Sequence, residues 1–164
     1  MEKVKYIAGI MTGTSVDAID TCLCKFYMID GKFKFELINY KETKMDDGVK
    51  SLIIDITNNK LNIWDFSQLN FYLSSKFRDC VEDICELSLF PIEKLDAVSI
   101  HGQTLWHQPN PKEFFGRMIG STYQHTSVSA LSALLSRTVI GDFRAADVAL
   151  GGQGAPLVPI FDYY

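Results

Sequence analysis

The sequence predicts an α/β domain in which a mixed sheet carries helices on its faces. Three observations point there. The first third of the chain reads as three strands joined by short connections. The middle holds one long stripe of apolar residues at helical spacing. The last third alternates brief apolar runs with short helical patterns. A meander followed by helix, strand, helix, strand, helix gives three antiparallel strands extended by parallel ones, with helices on both faces.

Residues 6–11 are apolar nearly throughout, the mark of a strand covered on both sides. They run into Thr12-Gly13-Thr14-Ser15, and residues 18–26 follow as a second strand. Asp30-Gly31 is a hairpin signal. Phe33, Phe35 and Leu37 then alternate with Lys34 and Glu36, a third strand with one wetter face. Asp46-Asp47 suits a helix start. Val49, Leu52, Ile53 and Ile56 recur at helical spacing, and Asn58-Asn59 ends that helix. Asp65 with Gln68 has the form of a capping box. From there Phe66, Leu69, Leu73, Phe77, Val81, Ile84 and Leu87 step by threes and fours, and Pro91 lies beyond the helix end. Residues 95–100 read as a strand and 101–111 as a polar, aromatic loop. Residues 117–124 read as a strand, 128–136 as a helix, 138–141 as a strand and 145–150 as one helical turn. Gly151-Gly152-Gln153-Gly154 is a break, and 156–164 reads as the opening of a helix.

The totals exclude several classes. A chain of 164 residues makes one domain and can bury about two-thirds of its unfolded surface. The net charge of −4 gives no electrostatic case for nucleic acid or an anionic membrane. No apolar run has the length of a membrane span, and the start of the chain lacks a secretory pattern, so a cytoplasmic protein is expected. Cys22, Cys24, Cys80 and Cys85 match no zinc spacing and read as reduced thiols.

Three stretches concentrate polar chemistry. In GIMTGTSVDAID, Gly13 supplies conformational freedom and close approach, while Thr14, Ser15 and the turn's N–H groups suit an anion. Asp17 and Asp20 follow at once, which makes sense if a water-coated Mg²⁺ sits between them and a phosphate. The bland alternative is a polar hairpin turn. In HGQTLWHQP, Gln103 and Thr104 suit a neutral sugar or polyol and Trp106 offers a ring face. His101 and His107 lack a third metal ligand. In GDFRAADVALGGQG, Asp142 sits just past a strand and Arg144 can grip a carboxylate or phosphate, or simply pair with a neighbouring acid. The glycines at 151–154 are either a hinge or a point of close approach, and they lack dinucleotide-binding spacing. If the three loops leave one edge of the sheet, they form one cleft. A sugar- or polyol-directed phosphoryl-transfer domain fits best, and a small-molecule binding domain without chemistry is the other class.

These three segments, in this order, resemble the signature segments of anhydro-N-acetylmuramic acid kinases. The resemblance runs over nearly the whole chain, from Tyr6 to Tyr164. It implies an actin-like, ribonuclease-H-type ATPase fold. It also implies that ATP, with Mg²⁺, phosphorylates 1,6-anhydro-N-acetylmuramic acid as water opens the anhydro ring. The product is N-acetylmuramate 6-phosphate, made in cell-wall recycling. On this resemblance Gly13, Thr14, Ser15, Asp17 and Asp20 hold the nucleotide, and Gln103, Thr104, Asp142 and Arg144 line the sugar side. The family's Asp-x-Gly-Pro-Gly-Asn segment, which carries the base that activates water, does not occur in the 164 residues. That base is expected beyond Tyr164, and no catalytic residue is assigned before it. Residues 1–164 are therefore expected to be the first domain alone, inactive without the second and prone to form homo-oligomers through its bared faces. The other expectation is a non-catalytic binding or assembly module descended from such a kinase.

Overall fold

The computed structural model describes residues 4–60 and 62–156. The chain begins with a meander. β1 (Lys5–Thr12) pairs antiparallel with β2 (Ala18–Ile29), and β2 pairs antiparallel with β3 (Lys32–Lys44). α1 (Asp47–Thr57) and α2 (Ile63–Leu87) follow, then β4 (Ala97–Ile100). β5 (Gln103–Phe114) and β6 (Arg117–His125) form a separate two-stranded sheet. α3 (Val128–Leu135), β7 (Val139–Ile140) and α4 (Phe143–Ala149) complete the described chain. The main sheet runs β3-β2-β1-β4-β7, with β4 parallel to both β1 and β7. This is the mixed α/β arrangement that the sequence predicts, and it agrees with an actin-like domain.

The pleat explains the core. Ala8, Ile10 and Thr12 of β1 face the same way as Ile19, Thr21 and Leu23 of β2 and Val98 and Ile100 of β4, and all are buried. Ile53 of α1, Phe77 and Ile84 of α2, and Leu131 of α3 join them in one cluster. Each such side chain contributes roughly 1.5–3 kcal/mol by leaving water. The opposite face is different. Ser99, Gly9, Cys22 and Tyr40 lie side by side across four strands. With Met11 they floor an open trough of about 350 Å³, to which α4 adds Phe143. Cover on both faces of β1 is thus not what the described residues show. Met11 is 42% exposed, and Phe143 of α4 stands at the rim of the trough.

Other local expectations shift. The Asp30-Gly31 turn is present, with φ of 50° and 72°, the left-handed pair a two-residue hairpin loop requires. α2 starts earlier than a capping box at Asp65 implies. Asn62 is its N-cap and accepts from the Trp64 N–H at 2.9 Å. Residues 101–111 are not a loop: most of them belong to β5. Pro109 and Pro111 argue against a strand, but they fall where the register slips between Gln108 and Lys112, and a bulge in a two-stranded ribbon tolerates them. The helix expected from Pro156 onward lies outside the described residues beyond that position. The expectation of a catalytic base beyond Tyr164 likewise falls outside the described residues. No helix among the described residues is long and apolar enough to cross a membrane.

Candidate active site at one edge of the sheet

Strands β1, β4 and β7 are mutually parallel, so their carboxyl ends share one edge. The three polar stretches leave from that edge, and hydrogen bonds tie them to one another. The buried Thr12 hydroxyl donates to the Gly102 carbonyl at 3.0 Å. Gln103 Nε2 donates to the Gly13 carbonyl at 3.2 Å. The His101 N–H donates to the Ile10 carbonyl at 3.1 Å. Arg144 Nε donates to His101 Nε2 at 2.7 Å. Segments about ninety residues apart thus form one polar edge, as the single-cleft expectation requires.

The β1–β2 turn is closed by the Val16 N–H on the Gly13 carbonyl at 3.2 Å. Thr14 and Ser15 are exposed at its tip. The conformational demand falls on Val16, not on Gly13. Val16 has φ of +55°, an outlier for a β-branched residue, and holds it by burying its side chain in the core. A Cβ on Gly13 would only touch Ser15 Oγ at 3.5 Å. What Gly13 retains is the small surface that a close-approaching group needs.

Behind the turn lies a cavity of about 410 Å³, lined by Gly13, Ser15, Asp17, Asp20, Lys44 and Lys50 among others. Asp17 is ion-paired to Lys50. Hydrogen bonds from Lys50 first and Ser15 second hold its carboxyl below the usual range. Asp20 accepts from the Tyr40 hydroxyl, which pushes that phenol up to about 12. Neither carboxylate is buried, and each keeps an open side toward the cavity. Lys50 and Tyr40 carry no motif signal. They join the site only because α1 and β3 bring them beside β2.

The residues expected on the sugar side divide. Gln103 is fully buried, so its amide supports the β1–β2 turn, while its Oε1 has no partner among the described residues. Thr104 is half-buried beside Gln124 Nε2, 3.5 Å from its hydroxyl. Asp142 is exposed at the start of α4 with φ of +62° and makes no capping bond. Arg144 points to His101. Among the described residues Arg144 forms no ion pair. The glycine break is shaped from within. Gly154 N–H donates to Asp147 Oδ2 at 2.7 Å, and a Cβ on Gly152 would lie 2.2 Å from that same oxygen. Asp147 itself thus takes the place of close approach. Among the described residues no group of three or more His, Cys, Asp or Glu could hold a metal ion.

The sheet order is that of a mixed α/β domain consistent with the actin-like class, and the polar residues gather at its strand ends. The comparisons narrow that class. The family model for anhydro-N-acetylmuramic acid kinase matches residues 5–164. The chain belongs to this family. An anhydro-N-acetylmuramic acid kinase of Bacillus cereus strain Q1 is 39% identical over 157 residues, covering 94% of this chain and 40% of that protein. One from Bacillus thuringiensis strain Al Hakam is 38% identical over 159 residues, covering 95% and 40%. The chain therefore spans about two-fifths of the length of these curated relatives. Among solved structures, YeaZ from Pseudomonas aeruginosa is 16% identical, with 92% of this chain and 51% of that one covered at a TM-score of 0.30, a weak likeness.

Proposed function

We propose that these residues form the nucleotide-turn wall of a kinase that phosphorylates 1,6-anhydro-N-acetylmuramic acid from ATP while water opens the anhydro ring. The observation that carries this reading is the joined edge: the turn at residues 12–17, the hairpin root at 101–104 and Arg144 are tied together by hydrogen bonds, with Arg144 lacking an acid. Phosphoryl transfer depends on positioning and on charge stabilisation, and this edge offers both. Thr14 and Ser15 present hydroxyls and backbone N–H groups at the tip of a turn that the core holds rigid through Val16. Behind it Lys50 and Lys44 are paired to Asp17 and Asp47, and Asp20 and Glu42 line the same cavity, so a phosphate there needs a cation brought with it. Arg144 would take the anionic end of the sugar acid, and Thr104 and Asp142 its hydroxyls. The base that activates water is assigned to the part of such a kinase that follows Tyr164. Mg²⁺, when bound with ATP, screens the phosphates. The residues fit a water-mediated contact, since Asp17 and Asp20 are accessible but make no direct ligand cluster. A metabolic kinase of this kind works in the cytoplasm.

Calorimetric titration with Mg-ATP tests the turn. The Gly13→Ala protein is expected to keep its unfolding midpoint, because the added methyl meets only an ordinary contact, and to lose about tenfold or more of the affinity. Equal binding by the variant, or no heat from the folded parent chain, would remove the turn from nucleotide recognition.

A further inference from the structure

The contact between His101 and Arg144 contains more than proximity. Arg144 Nε carries a hydrogen and has no lone pair to offer, so at 2.7 Å His101 Nε2 must be the acceptor. His101 Nδ1 lies 2.8 Å from the Gly102 carbonyl, which can only accept, so Nδ1 carries the hydrogen. The two partners leave one consistent form, a neutral imidazole protonated on Nδ1. Gly102 is part of the same unit. Its φ of +80° turns its carbonyl between two donors, Thr12 Oγ1 and His101 Nδ1. The chain Thr12, Gly102, His101, Arg144 therefore runs from the end of the nucleotide-side strand to α4.

We propose that His101 is a positioning residue for Arg144. It accepts from Nε and leaves the two terminal nitrogens of the guanidinium for an anionic group of the ligand, a carboxylate or a phosphate. The proposal rests on the reading of this edge as a kinase site, and it deepens that reading by assigning Arg144 its orientation. An arginine fork binds an oxyanion through two parallel N–H groups, and that requires the plane of the guanidinium to be fixed. A carboxylate partner would fix the plane but cancel the charge. A neutral imidazole fixes the plane and leaves the charge for the ligand. A protonated imidazole would place two donors against each other and release the arginine.

The surroundings favour the neutral form. Burial pushes the His101 imidazole below its ordinary value, and the charge of Arg144 acts in the same direction against the Gly102 bond. From β2, Asp20 and Cys22 line the trough that His101 also lines, and β3 contributes Tyr40. The carboxylate of Asp20 accepts from the Tyr40 hydroxyl.

Two measurements on the ¹⁵N-labelled chain decide the matter. The first follows the Arg144 Nε–H resonance, assigned by its loss in Arg144→Lys, together with the imidazole nitrogens of His101. Near neutral pH the Nε–H signal is expected to be sharp and His101 to be the Nδ1–H tautomer. On acidification the Nε–H signal should be lost in step with His101 protonation. His101→Leu should lack the signal at every pH, and His101→Gln, whose amide oxygen can accept, should keep it at every pH. The second is affinity for 1,6-anhydro-N-acetylmuramic acid at about pH 7.5 and at a pH below the His101 protonation midpoint that the first measurement finds, since burial holds that midpoint under the ordinary histidine value. The parent chain should weaken about tenfold at the lower pH, the worth of one charge-assisted contact, and His101→Gln should show no such change. An Nε–H signal indifferent to His101 protonation, or equal pH profiles for parent and His101→Gln, overturns the proposal. A parent chain that binds no sugar at either pH defeats the functional reading instead, and the Arg144 resonance then judges the pairing by itself.

Discussion

The β1–β2 turn and the β5–β6 hairpin bring polar residues to the same edge, but they are held there by different means. The turn grows out of two strands whose inner faces lie in the core. Thr12, Val16 and Ile19 are all buried, and Val16 keeps an unfavourable backbone angle because of that burial. The hairpin has only a buried root. Gln103, Gln124 and His125 are enclosed, while Phe115 at the tip is 91% exposed. Its register slips twice. Leu105 is the β5 side chain that joins the core cluster, and polar ties add to it: Gln103 to the turn, and His125 to the Phe66 carbonyl of α2 and the Tyr123 hydroxyl, the last two at 3.0 Å. A feature placed by apolar packing is as stable as the domain. One placed by a few hydrogen bonds can move while the domain stays folded.

The largest test of that contrast is Phe77→Ala. Phe77 is fully buried where α2 meets the sheet. Its loss should cost about 3–5 kcal/mol by denaturant unfolding, and turn and hairpin should melt together. The contrast weakens if the hairpin root keeps its hydrogen-exchange protection after the sheet has lost its own. Next comes Gly120→Ala. A Cβ at position 120 would lie 2.3 Å from the Pro109 carbonyl oxygen, so one strand of the ribbon must give way at the bulge. The expected cost is about 1–3 kcal/mol, confined to faster exchange in β5 and β6. Slower or unchanged exchange in the hairpin would mean that the ribbon adapts freely there, and equal loss of protection in β1 would mean that the two regions are one unit.

The same contrast decides how much of the molecule was legible in the sequence. Apolar packing leaves a periodic trace. The meander, the Asp30-Gly31 turn and the α2 stripe were therefore readable, and so was the gathering of three polar stretches at one strand edge. Polar placement leaves little trace. The pairing of His101 with Arg144 spans 43 residues and exists only because β4 and β7 lie side by side. Lys50 reaches Asp17 from a helix whose own pattern says nothing of the site. The hairpin was hidden by prolines that forbid a regular strand and are harmless at a bulge. Val16 was hidden because a valine is the last residue expected at a positive φ, and only burial explains it.

The smallest expected effect separates the two anchors by pH. His101 and His125 both titrate below the ordinary imidazole range, in each case chiefly because burial opposes the charge. In the unfolded chain they take up protons near pH 6.5, and in the folded protein only at lower pH. Between those points the unfolded state holds more protons, so stability is fully present above about pH 6.5 and falls as the pH drops through the folded values. Urea midpoints measured across that window should decline with no change in slope. His125→Asn removes the hairpin's share and leaves that of His101, so its decline should be shallower than that of the parent. An undiminished decline would place the acid sensitivity at the β4 edge alone. The hairpin root would then owe its position to the stacking of Tyr123 on Phe66, whose ring centroids lie 5.7 Å apart, rather than to its histidine.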